Sequence, residues 1–214
     1  MTQLSAIVFA VRRALAAQGM SLSTGHAQQL AAAALGHNNL ASYQASNDDA
    51  GLALASVIVF DSGRLHDRAT ELGYNGSAFA QALSAVLEAR FPTARIYSDH
   101  EDWLTDVQRH FELAIINNGH VESEVAMTNG TFPRIDIELP WWETLDEYDG
   151  DDLSTEIEGL VTVDQGDGRA YYGHEIDVRA TLTVERFGRR LFGDYRLEVE
   201  KAGLRWLGEP NPSF

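Results

Sequence analysis

Apolar residues recur at helical spacing through the first half of the chain and at strand spacing through the last third. Leu4, Ile7, Val8, Val11 and Leu15 fall on one helical face, and Gly19 ends the run. Ser21 or Ser23 can cap a second helix that carries Leu30 and Leu35 and stops at Gly36. Asn39 is placed to cap a short third helix through Leu40, Tyr43 and Ala45, and Asn47 to Gly51 reads as a link. Val57 to Phe60 is a β-branched and aromatic run, hence a strand. Gly63 to Leu72 reads helical, and Gly73 to Gly76 breaks it. Ser77 is the expected cap of a helix whose face is Phe79, Leu83, Val86 and Leu87, with Pro92 just beyond its end. Ser98 and Glu101 form a capping-box pair that opens a helix with Trp103, Val107, Phe111 and Ile115 on one side.

After Gly119 the period falls to two. Val121, Ser123, Val125 and Met127 alternate with Glu122 and Glu124, which predicts a strand, and Asn129-Gly130 predicts a hairpin turn. Ile135, Ile137 and Leu139 then alternate against Arg134, Asp136 and Glu138. Further alternating runs are Ile157 to Val163, Ile176 to Val184 and Tyr195 to Val199, and Leu204 and Trp206 are placed to close the sheet. One polar side per strand suits an antiparallel sheet with one solvated face. The expected fold is α+β: N-terminal helices with one early strand, followed by a five- to six-stranded antiparallel β-meander. The expected segments are a helical module over 1–46, an α/β segment over 47–118 and an antiparallel β domain over 119–214, free to pack as a single domain.

Charge changes this picture more than any motif does. The formal charge of −16 is carried by one region: Ser98 to Asp177 holds 21 acidic residues against Arg109, Arg134 and Arg169. A field of that sign repels phosphate and attracts basic partners, so direct DNA binding is not expected. The 44% of hydrophobic residues argues against disorder of the whole chain. The absence of cysteine excludes disulfides, thiolate metal sites and a cysteine nucleophile. No apolar run reaches the roughly 18–20 residues of a membrane span. Arg12 and Arg13 follow the first apolar stretch, where a signal peptide would place its charge before it. These features predict a cytoplasmic protein with no membrane association.

Residues of about 11 to 46 combine a leucine-bearing helix, a linker with serines, a helix through Ala27, Leu30 and Ala31 to Leu35 and Gly36, and a short helix with an aromatic at Tyr43. This pattern resembles a small helical module at the N-terminus of bacterial glyoxalase-superfamily-related proteins. His37 stands where that family usually has an aromatic, and Leu40 or its neighbours replace a usual tryptophan. The resemblance implies a module without glyoxalase chemistry, because the rest of the chain aligns with no glyoxalase metal site. The same stretch also resembles a helix-turn-helix with Gly36 at the turn. Asn39 to Ser46, however, contains no Arg or Lys to contact phosphate.

The sharpest local feature is Trp141 to Asp152, with six carboxylates and three aromatics in 12 residues. Trp141, Trp142, Glu143, Asp146, Glu147, Tyr148, Asp149, Asp151 and Asp152 are the expected partner-binding residues, since aromatics within a charged rim are what protein-binding hot spots contain. The bland alternative is a solvated acidic loop over a sheet edge. Aligning Gly150 with the glycine of a calcium loop puts Leu145 where the leading carboxylate belongs, which argues against an EF-hand and leaves a looser oxygen-ligand site as the lesser alternative. His26, His37, His66, His100, His110, His120 and His174 show no helical zinc spacing and read as scattered surface residues, so no metal site or cofactor is expected. No catalytic residue stands out among so many acids. Arg179, Arg186, Arg189, Arg190 and Arg196 are expected to pair with acids on neighbouring strands, or otherwise to form a local anion site.

The leading expectation is a non-catalytic acidic interaction protein. It would dock on a basic protein surface or a nucleic-acid-binding protein, as a DNA-mimic-like inhibitor or regulator of a nucleic-acid-handling complex. The alternative is an enzyme or small-ligand binder with its site between the helical part and the sheet.

Overall fold

Helix α1 (Gln3–Ala17) begins where Thr2 accepts the Ser5 N–H, and ends before Gly19, whose φ of 80° is left-handed. Ser23 caps α2 (Thr24–Ala34) in the same way, and Asn39 caps α3 (Leu40–Ala45). The computed structural model describes residues 2–128, 130–137, 152–164 and 174–205. Among these follow α4 (Asp48–Gly51), β1 (Val57–Val59), α5 (Ser62–Leu72), α6 (Gly76–Arg90), β2 (Arg95–Tyr97), α7 (His100–Ile116), α8 (Gly119–Thr128), β3 (Thr131–Ile137), β4 (Asp152–Asp164), β5 (His174–Gly188) and β6 (Leu191–Arg205).

The α+β class holds, with the helices mostly N-terminal, but the sheet is mixed. Its hydrogen-bonded order is β2-β1-β6-β5-β4-β3. β1 pairs with β2 in parallel and with β6 antiparallel, while β3 and β4 are antiparallel. β5 and β6 are neighbours joined by Arg189 and Arg190 alone, a connection short enough to require a hairpin. The purely antiparallel meander is thus corrected: two short early strands, not one, join the C-terminal strands. β1 is buried at all three positions, so it shows none of the alternation that marks a solvated sheet.

Residues 119–128 are a further correction, being helix α8 instead of a strand. Val121 and Val125 are four apart and satisfy either period. The outcome is decided by Asn118, whose carbonyl accepts the Glu122 N–H and whose Oδ1 accepts the His120 N–H. Gly130 accordingly leads from a helix into β3, not around a hairpin. Two caps also move. Asn75, not Ser77, accepts the Ala78 N–H and opens α6. Asp99, not Ser98, accepts the Asp102 N–H at 2.9 Å and opens α7.

The chain divides into two compact units. Among described residues the first comprises 2–104, 152 and 184–194, and the second comprises 105–128, 130–137, 153–164, 174–183 and 195–205. In the first, α2 is buried over most of its circumference. Ala27 and Ala31 to Ala34 are all buried, and α2 packs against α1, α3 and α5. Alanine favours the helix and leaves its neighbours room for close approach. Leu4, Ile7 and Val11 of α1 and Phe79, Leu83 and Leu87 of α6 belong to the same core as Leu30 of α2. Each large side chain buried in this way contributes about 1.5–3 kcal/mol. Trp103 stacks on Phe192 with ring centroids 4.4 Å apart. In the second unit Val107, Phe111 and Ile115 of α7 are buried, as are Ile157 and Val161 of β4 and Ile176, Val178, Ala180 and Leu182 of β5.

Glycine matters most where backbones touch. A Cβ on Gly51 would lie 2.1 Å from the Phe187 carbonyl oxygen. Gly51→Ala is therefore expected to destabilise the protein by about 2–3 kcal/mol in urea denaturation. Gly25→Ala, at a helical position with nothing within 4 Å of the added Cβ, is expected to be neutral or to stabilise by up to about 1 kcal/mol.

Candidate functional site

The residues from Gly36 to Asp61 bring together the densest buried polar chemistry described in this chain. Gly36 closes α2 with a φ of 81°, which turns His37 inward to 4% exposure. His37 Nε2 lies 2.8 Å from Asp48 Oδ2, and both side chains are almost fully buried. The same Asp48 oxygen accepts the Arg189 N–H at 3.1 Å, from the turn between β5 and β6. Arg189 Nη1 in turn donates to the Gly36 carbonyl at 3.3 Å. Close approach is enforced sterically, since a Cβ on Gly188 would lie 2.8 Å from Asp48 Cγ and one on Gly36 would lie 2.9 Å from Arg190 Cγ.

Two more carboxylates extend the network. Asp49 accepts the Gln3 and Leu4 N–H groups at 3.0 and 2.9 Å, satisfying donors at the start of α1. The Tyr43 hydroxyl donates to Asp49 at 3.3 Å. Asp61 caps α5 through the Arg64 N–H at 2.8 Å, and it also accepts Arg64 Nε at 3.0 Å and Arg190 Nη2 at 3.2 Å. Arg64 and Arg68 bind the side chain and the carbonyl of Asn38, respectively.

Burial by itself would raise the Asp48 carboxyl, but the hydrogen bond and charge of His37, with the Arg189 N–H and Ser46, hold it below the usual carboxylate range. Asp61 behaves alike: burial opposes ionisation, and the bonds from Arg64 and the charges of Arg190 and Arg64 outweigh it. The Tyr43 phenol is pushed well above its ordinary value, first by burial and then by Asp49 and Asp48. With Asp48 ionised and acceptor-only, the proton between it and His37 resides on Nε2.

Ser42 Oγ lies 3.3 Å from His37 Nδ1, so serine, histidine and aspartate form a chain. Its sense is opposite to that of a hydrolase triad, in which the acid holds Nδ1 and the hydroxyl faces Nε2. The Ser42 hydroxyl also donates to the Asn39 carbonyl at 3.0 Å. The network reads as a tether joining the end of α2, α4 and the β5–β6 turn.

Of the partner-binding residues expected from sequence, Trp141, Trp142, Glu143, Asp146, Glu147, Tyr148, Asp149 and Asp151 lie outside the described residues. Asp152 is exposed at the first position of β4, where its Oδ1 accepts the Arg186 N–H at 3.3 Å. The late arginines separate into two roles. Arg179 pairs with Glu158 on the neighbouring strand at 2.6 Å, as cross-strand pairing anticipates. Arg189 and Arg190 instead face the Gly36–Asp61 network. The histidines are also not uniformly superficial. His37 is buried, His26 Nδ1 lies 3.0 Å from the Tyr74 hydroxyl, and His110 packs edge-on against Tyr195. Among the described residues no three metal-binding side chains converge. The network went unread in the sequence because Asp48 and Asp49 look like part of a solvated link. Their one signal was an adjacent acid pair following a helix-stopping Gly-His.

The chain matches no protein-family model, no curated protein and no solved structure. Its function is therefore argued from its own side chains.

Asp48→Ala leaves His37 and the Arg189 N–H without their acceptor, and an expected loss of about 3–5 kcal/mol would show in urea denaturation. The depressed carboxyls of Asp48 and Asp61 add stability that is complete above the unfolded carboxyl range, about pH 4–5, and that drains as pH falls through their folded values. Urea midpoints taken from pH 7 down to pH 3 should fall steeply for the native protein. Asp48→Asn, already less stable at pH 7, should show a shallower decline.

Proposed function

We propose that the protein is a non-catalytic interaction protein that docks an acidic strand face on a basic surface of a macromolecular partner. One observation carries this reading. In the second unit the alternation of β3 to β6 sets Asp136, Glu156, Glu158, Asp177, Glu198 and Glu200 at exposed positions, while Ile157, Val161, Ile176, Val178, Ala180 and Leu182 are buried. Side-chain contacts link Glu158, Asp177 and Glu200 to residues of other strands, which supports a shared acidic side. Ser154 meets Thr183, Glu158 meets Arg179, Thr181 meets Glu200, and Arg205 meets both Glu175 and Asp177.

Arg179 and Arg205 interrupt the acidic field without cancelling it. Both are exposed enough that their ion pairs add little to stability and instead hold neighbouring carboxylates in position. Negative charge of this kind accelerates encounter with a basic surface and discriminates against acidic ones. Acids two residues apart on a strand, such as Glu156 and Glu158, repeat about every 6.6–6.8 Å along an extended backbone. Acidic charge repels nucleic-acid phosphate and attracts a protein surface that otherwise holds nucleic acid, which favours a DNA-mimic-like inhibitor or regulator over a direct DNA binder. The first helices, read as the module of glyoxalase-superfamily-related proteins, would then serve packing and protein contact. No described helix is long and apolar enough to cross a membrane.

The test is affinity capture with the native chain and with the triple reversal Glu156→Lys, Glu158→Lys, Glu200→Lys. A specific partner should be retained at low salt, weaken at least tenfold in the reversed variant, and be displaced by added DNA. A partner held equally by both proteins and at all salt concentrations would rule out docking through this face.

A further inference from the structure

In the helical first unit, a hollow of about 210 Å³ opens between the end of α1, the linker at Met20 to Leu22, α2 and the turn before α6. Gly73, left-handed with φ 75°, lines it, and Gly19, with φ 80°, turns the chain from α1 into the linker. A Cβ on either glycine would meet nothing within 4 Å, in contrast to the crowded glycines of the Asp48 network. The floor is Leu15, Leu30 and Phe79, each at most 3% exposed. Water in such a space finds few hydrogen-bond partners and is readily displaced by an apolar group.

We propose that this hollow binds a small uncharged ring compound bearing one hydroxyl or N–H group, of the size of phenol or indole. An apolar cavity of about 150 Å³ holds benzene, so the larger volume suits a ring with a substituent or a fused bicycle. The polar lining residues are Ser21 at the exposed rim, Asn75, whose Oδ1 already accepts the Ala78 N–H, and Tyr74, whose hydroxyl is bonded to His26 Nδ1 at 3.0 Å. A phenol both donates and accepts, so one such bond leaves capacity for another. Charge is disfavoured because the lining holds no ionised side chain. Arg12 lines a separate hollow across the linker, where its Nε and Nη1 hold the Leu22 carbonyl and Thr24 Oγ1, each at 2.7 Å.

The experiment is a titration of the full chain with indole, phenol, benzene and benzoate, followed by methyl chemical shifts of Leu15, Met20 and Leu30. Indole and phenol should shift these methyls saturably, and benzoate should bind at least tenfold more weakly than phenol. Ser21→Trp, an exposed position on the lining, should weaken indole at least tenfold with an unchanged melting temperature. Tyr74→Phe should remove the preference for phenol over benzene. Shifts that grow linearly without saturation, equal binding of benzoate, or undiminished indole binding by folded Ser21→Trp would overturn the assignment. If Ser21→Trp lowers the melting temperature, the phenol-to-benzene ratio in Tyr74→Phe decides it alone, and an unchanged ratio overturns it.

Discussion

A carboxylate with almost no access to water is unfavourable unless donors surround it, and Asp48 draws its donors from segments far apart in the chain. His37 comes from the end of α2, and the Arg189 N–H comes from a turn 141 residues away. Removing the Asp48 carboxylate leaves its buried donors without an acceptor, so the contact ties the β5–β6 turn to the end of α2. Glycines 36, 51 and 188 are required because at these positions a side chain would collide with the opposing segment. Next to it, Asp49 satisfies N–H groups at the start of α1. Two adjacent acids thus anchor opposite sides of the helical core.

The arginines follow the same logic in two environments. Arg190 is 6% exposed and reaches Asp61, a carboxylate held ionised by several donors. Arg179 and Arg205 lie on the solvated side of the strands, where water screens their pairs and their effect is to position neighbouring acids. Arginine therefore serves a buried lock in one environment and screened surface pairs in the other, depending on solvent access. The acidic exposed positions of the strands and the apolar hollow beside Tyr74 are chemically opposite: one is rich in carboxylates, and the other is lined by no ionised side chain.

Much of the local structure was legible from short-range chemistry. Ser23 and Asn39 cap their helices as their side chains suggest, Gly19, Gly36 and Gly73 terminate helices, and Trp103, Val107, Phe111 and Ile115 share a buried face. Errors arose where two local solutions were nearly equal in energy. Val121 and Val125 fit both periods, and Asn75 and Asp99 competed successfully with nearby serines as caps. The parallel pairing of β1 with β2 lacked a signal because Arg95 to Tyr97 is too short to show a pattern.

The sequence by itself determined the helix-rich beginning, the alternating strands at the end and the acidic middle, because each depends on residues a few positions apart or on simple charge counts. Tertiary structure alone decided that Asp48 is a buried anchor and not part of a solvated link, and that the late arginines divide between core and surface. Those outcomes depend on desolvation by segments more than a hundred residues away, and no local pattern encodes which carboxylate loses its water.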